Sequence, residues 1–148
     1  MYEYTKICKK RQNLKYKGDK LVLNLLDTNI NSKYLLLGNH IIVSTDNEVK
    51  PQYLEKENLQ LAKHVSSKEE NIYNEIKNLI NHLPKPDSFA IKVDRKGEHN
   101  YNSTEIARNL AGAVFEKWED VTVKLKKPSL MICVQIINNR GVVYFIKE

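Results

Sequence analysis

The second half of this chain carries the clearer pattern of apolar and polar positions. From Ser88 the period is two, with Phe89, Ile91 and Val93 alternating against Ala90, Lys92 and Asp94, which predicts a strand with one buried face. A polar loop follows. Asn102 or Ser103 then stands where a helix cap belongs, with Glu105 in the first turn and Ile106, Leu110, Val114, Phe115 and Trp118 at helical spacing. Gly112 interrupts that helix at a cost of about 1 kcal/mol relative to Ala, so a close packing contact is expected there. Residues 121–125 alternate again, and Lys126-Lys127-Pro128 breaks the run. Residues 130–137 are apolar on nearly both faces, as a central strand is, and Asn138-Asn139-Arg140-Gly141 turns the chain into a last strand over 142–146.

Upstream, Ile72, Ile76, Leu79, Ile80 and Leu83 predict a helix, Ser66 and Glu69 have the form of a capping box, and Pro84 and Pro86 stop the helix. Pro51 can open an earlier helix, to which Leu54, Leu61 and Val65 give a weak stripe. Before it come two leucine-rich runs, 21–26 and 33–37, and an apolar run after Gly38-Asn39, a dipeptide suited to a hairpin turn. The expected class is α/β (α+β). A small β-rich N-terminal part over 1–49 precedes a domain over 50–148 with two leading helices and a β-α-β-β-β core.

Composition narrows the chemistry. The formal charge of +6 permits an anionic partner, and its distribution says more than its size. Lys6, Lys9, Lys10, Arg11, Lys15, Lys17 and Lys20 face only Glu3 and Asp19 in the first 20 residues; the middle is mildly acidic, and the part after residue 84 is basic again. With Tyr2, Tyr4 and Tyr16, the basic leader reads either as an RNA-wrapping segment or as a disordered tail. Cys8 and Cys133 lie far apart, and Cys133 sits in a strand-like run as a buried small hydrophobe. No apolar run reaches the roughly 20 residues that span a bilayer, and the expected location is the cytoplasm. His40, His64, His82 and His99 show no metal-site spacing, and Gly18, Gly38, Gly97, Gly112 and Gly141 are too scattered for a phosphate loop. Neither a catalytic apparatus nor a cofactor is expected.

Phe89-Ala90-Ile91-Lys92-Val93-Asp94-Arg95, then Gly97, His99 and Tyr101, then Ser103-Thr104-Glu105-Ile106 and Leu110-Ala111-Gly112, resembles the core of a THUMP domain. Val123-Lys124-Leu125-Lys126-Lys127-Pro128 is similar to that family's V-D-L-x-N-P element. Lys124 stands where the family often has Asp, Lys127 where it often has Asn, and Ser129 where it often has another Asp, so an acidic turn has become basic. The resemblance implies a tRNA-binding module working with a tRNA modification enzyme. Standing alone, such a chain would capture tRNA through phosphate and shape contacts for a separate enzyme of acetyltransferase, methyltransferase or thiolation type. The alternative is a protein-interaction subunit of an RNA-modification complex without direct RNA contact.

Candidate RNA-binding residues fall in two groups. Arg95, Lys96 and His99 share a loop beside the start of a capped helix, where a guanidinium fork and backbone N–H groups suit phosphate; a solvated basic loop is the plainer reading. Lys124, Lys126 and Lys127 form the second group, with Pro128 expected to hold the segment extended or turned; lysines also protect sheet edges from wrong pairing. The RNA reading expects both groups to converge on one side of a rigid platform. Trp118 and Phe115 are expected in the core.

Overall fold

The computed structural model describes residues 1–147 and divides into two compact units, Met1–Ala62 and Lys63–Glu148. The first contains β1 (Tyr2–Ile7), α1 (Leu14–Leu26), β2 (Ser32–Leu37), β3 (His40–Thr45) and α2 (Pro51–Glu57), and β4 (Gln60–Ser66) straddles the division. The second contains α3 (Glu69–Ile80), β5 (Ser88–Lys96), α4 (Ser103–Lys117), β6 (Thr122–Val123), β7 (Leu130–Ile137) and β8 (Arg140–Lys147). The architecture is therefore mixed α/β with a β-rich N-terminal part. The expected boundary at 49/50 falls before α2, whereas the backbone closes its first compact unit after Ala62.

In the first unit the strands run in the order β2-β3-β1-β4, and the β2–β3 hairpin turns at Gly38, whose φ of 59° supplies the left-handed geometry expected there. The basic leader is neither a tail nor a free arm. Its first residues form β1, paired antiparallel to β3 from Tyr2 to Ile7, with Tyr4 buried and its hydroxyl accepting from Val49 N–H at 3.0 Å. The leucine-rich run 21–26 is the second half of the helix α1, which turns Leu14, Gly18, Leu21 and Leu25 into the core. A buried pair, the Thr5 hydroxyl and His40 Nδ1 at 2.9 Å, ties β1 to β3 inside the sheet.

Two further expectations are corrected. The helix opened by Pro51 ends after seven residues at Asn58, whose left-handed backbone (φ 54°) stops it, so Leu61 and Val65 belong to β4. Leu61 pairs with Tyr4 on β1. The capping box at Ser66 does not form, because Ser66 is the last residue of β4 and Lys68 occupies the cap position of α3. Ser66 Oγ instead accepts from the Asn71 side chain at 2.6 Å, and the early carboxylates Glu69 and Glu70 suit the positive end of α3.

The second unit packs α3 and α4 on a sheet ordered β8-β7-β5-β6, with β7 central as its two-sided apolar sequence requires. Its core joins Ile72, Ile76 and Ile80 of α3 and Ile106, Leu110 and Val114 of α4 to Phe89, Ile132, Val134 and Ile136. Trp118 is buried, and Phe115 meets Phe89 edge-on at 5.4 Å between ring centroids. Asn102 caps α4, its Oδ1 accepting from Glu105 N–H at 2.8 Å. The close contact expected at Gly112 is with Tyr73, whose hydroxyl would lie 3.2 Å from an added Cβ. Lys117 closes the other helix: its ammonium donates to the carbonyls of Ile80 at 2.8 Å and of Asn81, satisfying the end of α3. The alternation over 121–125 yields only the two-residue β6, and Leu125 beyond it is 79% exposed. Among the described residues no helix is long and apolar enough to cross a membrane.

Candidate functional site

Arg95 lies on the side of β5 that carries Phe89, Ile91 and Val93, so its guanidinium emerges at the end of the helix-covered face, beside the start of α4. There it is already engaged. Nη1 donates to Gly97 O at 3.0 Å and to His99 Nδ1 at 3.0 Å. A guanidinium has only protons to give, so Nδ1 must accept, and the ring proton sits on Nε2, which donates to Asn138 O at 2.6 Å. The imidazole stacks on Tyr101, with 5.1 Å between centroids and 8° between planes, and Tyr101 donates to Ser67 O at 2.5 Å. Burial raises the Tyr101 phenol above its usual range, with Arg95 opposing that shift.

His99 is therefore a clamp between the β5–α4 loop and the β7–β8 turn. Both of its nitrogens are used inside the fold, which leaves it no donor for a phosphate. Gly97 completes the clamp: its φ is 104°, and a Cβ there would lie 2.5 Å from Asn138 Oδ1. Lys96 points to the other face and is exposed. The register aligns it with Ile137, and Ile137 with exposed Arg140, so Lys96 and Arg140 stand in one row two strands apart. Arg140 was not singled out in the sequence; its place directly after an Asn-Asn turn was the available signal.

Lys124, Lys126 and Lys127 are all exposed, and only the backbone of Lys124 is tied down, donating to Phe89 O at 2.9 Å. Lys127 is turned rather than extended: its φ of 50° is left-handed, directly before Pro128. Among the described residues the two ion pairs are Lys77 with Glu116 and Lys85 with Asp120, so none of the candidate cations is paired with a described carboxylate.

The two groups do not converge. Val123 pairs with Phe89 at the start of β5, whereas Arg95 and Lys96 end it. Six residues of strand at about 3.3 Å each put roughly 20 Å between them. No single phosphate can touch both. Even at the duplex spacing of about 3.4 Å per phosphate along one strand, that distance corresponds to roughly six phosphates. The arrangement offers two separate cationic contacts on a rigid sheet, and among the described residues no group of three or more His, Cys, Asp or Glu gathers as a metal site would need.

Known proteins share the fold. A tRNA sulfurtransferase from Vibrio campbellii (strain ATCC BAA-1116) is 33% identical over 70 residues, which are 47% of this chain and 14% of that enzyme. The chain thus spans well under a fifth of the length of this relative. Among solved structures, PH1313 from Pyrococcus horikoshii OT3 superimposes with a TM-score of 0.72 at 18% identity, over 99% of this chain and 55% of that one. A 4-thiouridine synthetase solved with RNA and ATP gives 0.70 at 13% identity, over 99% of this chain and 41% of that one; both likenesses are of fold. The THUMP domain model matches residues 66–145, more than half of the sequence and all of the elements that carry the two cationic groups, and the chain belongs to the THUMP domain family.

Proposed function

We propose that this chain is a tRNA-binding accessory module that captures tRNA through phosphate and shape contacts and presents it to a separate tRNA modification enzyme. The observation that carries the reading is the exposed Lys124, Lys126 and Lys127 segment at one end of β5, in no ion pair with a described residue, with Arg95, Lys96 and Arg140 at the other. Family membership and the tRNA sulfurtransferase relative support tRNA as the polynucleotide. Catalysis is assigned to the partner. In the clamp, both nitrogens of His99, Nη1 of Arg95 and the carbonyl of Asn138 hold the loop, and the loop in turn fixes where Lys96 and Arg140 stand.

The test is tRNA affinity across a salt series, for wild type and for a Lys124→Ala, Lys126→Ala, Lys127→Ala chain. Each phosphate contact contributes about 0.9 to the slope of log affinity against log salt in duplex DNA and about 0.7 in single strands. The triple variant is expected to bind more weakly and to lose roughly 2 from the slope. Salt-independent binding, or an unchanged slope, defeats the reading. A protein-interaction subunit without RNA contact is the second reading, favoured by Leu23 and Leu26 of α1, which are 61% and 51% exposed. Under it, tRNA affinity is absent at physiological salt in every variant.

A further inference from the structure

The first unit holds a cleft of about 480 Å³ between β1, α1 and the end of α2. Its walls present Lys6 from β1, Tyr16, Lys17, Lys20 and Asn24 from α1, and Glu57 from α2. Tyr16, Lys20 and Asn24 recur every four residues and so stand one above another on a single helical face, with Lys17 beside them. Tyr16 is 65% exposed at the rim. Glu57 accepts from Asn24 Nδ2 at 3.2 Å. Among the described residues none of the three lysines joins an ion pair.

The geometry points to a nucleoside-phosphate site in this cleft. Three ammonium groups from two elements suit a phosphate, and an exposed aromatic ring offers its face to a base. Glu57 decides the rest. A carboxylate on the wall repels a run of phosphates, but with a carboxamide beside it, it accepts from the neighbouring hydroxyls of a ribose, as acidic residues do in dinucleotide sites. Phosphate, sugar and base thus each meet a matching group, and the volume lies within the range of about 300–1,000 Å³ usual for small-molecule sites. All six residues lie outside the span matched to the THUMP family, so the site is independent of the cationic contacts on β5. The nucleoside phosphate is either a free ribonucleotide or the terminal residue of an RNA strand.

Equilibrium dialysis of the intact chain tests this with adenosine 5′-monophosphate, its 2′,3′-dideoxy form, inorganic phosphate and a short single-stranded oligoribonucleotide. Binding of the mononucleotide that falls about tenfold or more in Lys17→Ala with Lys20→Ala, and several-fold in Tyr16→Ala, supports the site with a free nucleotide as ligand. The same losses seen with the oligonucleotide alone support it with a strand end as ligand. Glu57→Gln, which keeps the side chain's shape, is expected to erase the preference for ribose over the dideoxy sugar, and it tests the site even where the lysine double variant fails to fold. The Lys126→Ala, Lys127→Ala chain is expected to bind the mononucleotide as wild type does. Losses confined to that chain overturn the assignment, as does inorganic phosphate binding as tightly as the nucleotide, or binding that none of the cleft variants alters.

Discussion

At Gly97 the backbone φ is 104°, and a Cβ would stand 2.5 Å from Asn138 Oδ1 and 3.1 Å from Asn138 Cα. Gly97→Ala therefore meets an unfavourable φ, a collision with the Asn138 side-chain oxygen and a tight contact with the Asn138 backbone, which is held in place because its N–H donates to Lys96 O at 2.9 Å. A loss of about 2–3 kcal/mol is expected from these combined, read as a lower midpoint in urea; an unchanged midpoint would mean that the two loops are not locked together. Lys127 presents the opposite case. A long side chain at φ 50° ahead of proline sits where neither the left-handed region nor the pre-proline restriction favours it, at a cost of about 1 kcal/mol. Asn tolerates that region better, so Lys127→Asn is expected to raise stability by roughly 0.5 kcal/mol while weakening tRNA binding. Thermal melts and binding measured on the same preparation check the two signs together, and a variant that loses stability removes the case that a strained lysine is kept for its charge.

Elements whose signals are local were legible in the sequence, and those settled by a tertiary neighbour were not. The helix α4 shows both its cap and its face in the residues, and Asn102→Ala is expected to cost about 1 kcal/mol through loss of the Glu105 N–H bond, measured by chemical denaturation; a cost near zero would assign the cap to solvent. The helix α1 hid behind Gly18 and an uncapped start, because glycine within a helix reads as a break. Its reason lies sixteen residues away: a Cβ on Gly18 would fall 2.4 Å from the ring of Tyr34, whose hydroxyl is held by Asp19 at 2.7 Å and by Lys15 O at 3.1 Å. Gly18→Ala is accordingly expected to destabilise by about 1–3 kcal/mol, although helix propensity alone would stabilise it. A raised melting temperature would show that the ring can swing aside. Residues 60–66 are a strand for a similar reason, since Gln60 and Leu61 find partners on β1 that no window around them contains. In the candidate site, the residue types were legible and their separation was not. Which end of β5 receives residues 124–127 depends on β6 pairing in parallel with Ser88 and Phe89, a register written in no local pattern.

For the molecule as a whole, that separation changes what a binding experiment should show. Cations that grip one phosphate from two sides act as a unit, so removing the second after the first costs little more. Cations about 20 Å apart on a rigid sheet contact different phosphates, and sites more than about 7–10 Å apart that share no partner add within roughly 0.3–0.5 kcal/mol. Lys96→Ala with Arg140→Ala at one end, and Lys126→Ala with Lys127→Ala at the other, are therefore expected to weaken tRNA binding by amounts whose free energies sum in the fourfold variant. The salt slopes should fall additively as well, because each end displaces its own counterions. A short hairpin too small to reach both ends should respond to one pair of substitutions and ignore the other, whereas tRNA responds to both. If the fourfold variant binds no worse than the weaker of the pairs, the two groups share one contact, and the extended platform gives way to a single focused site.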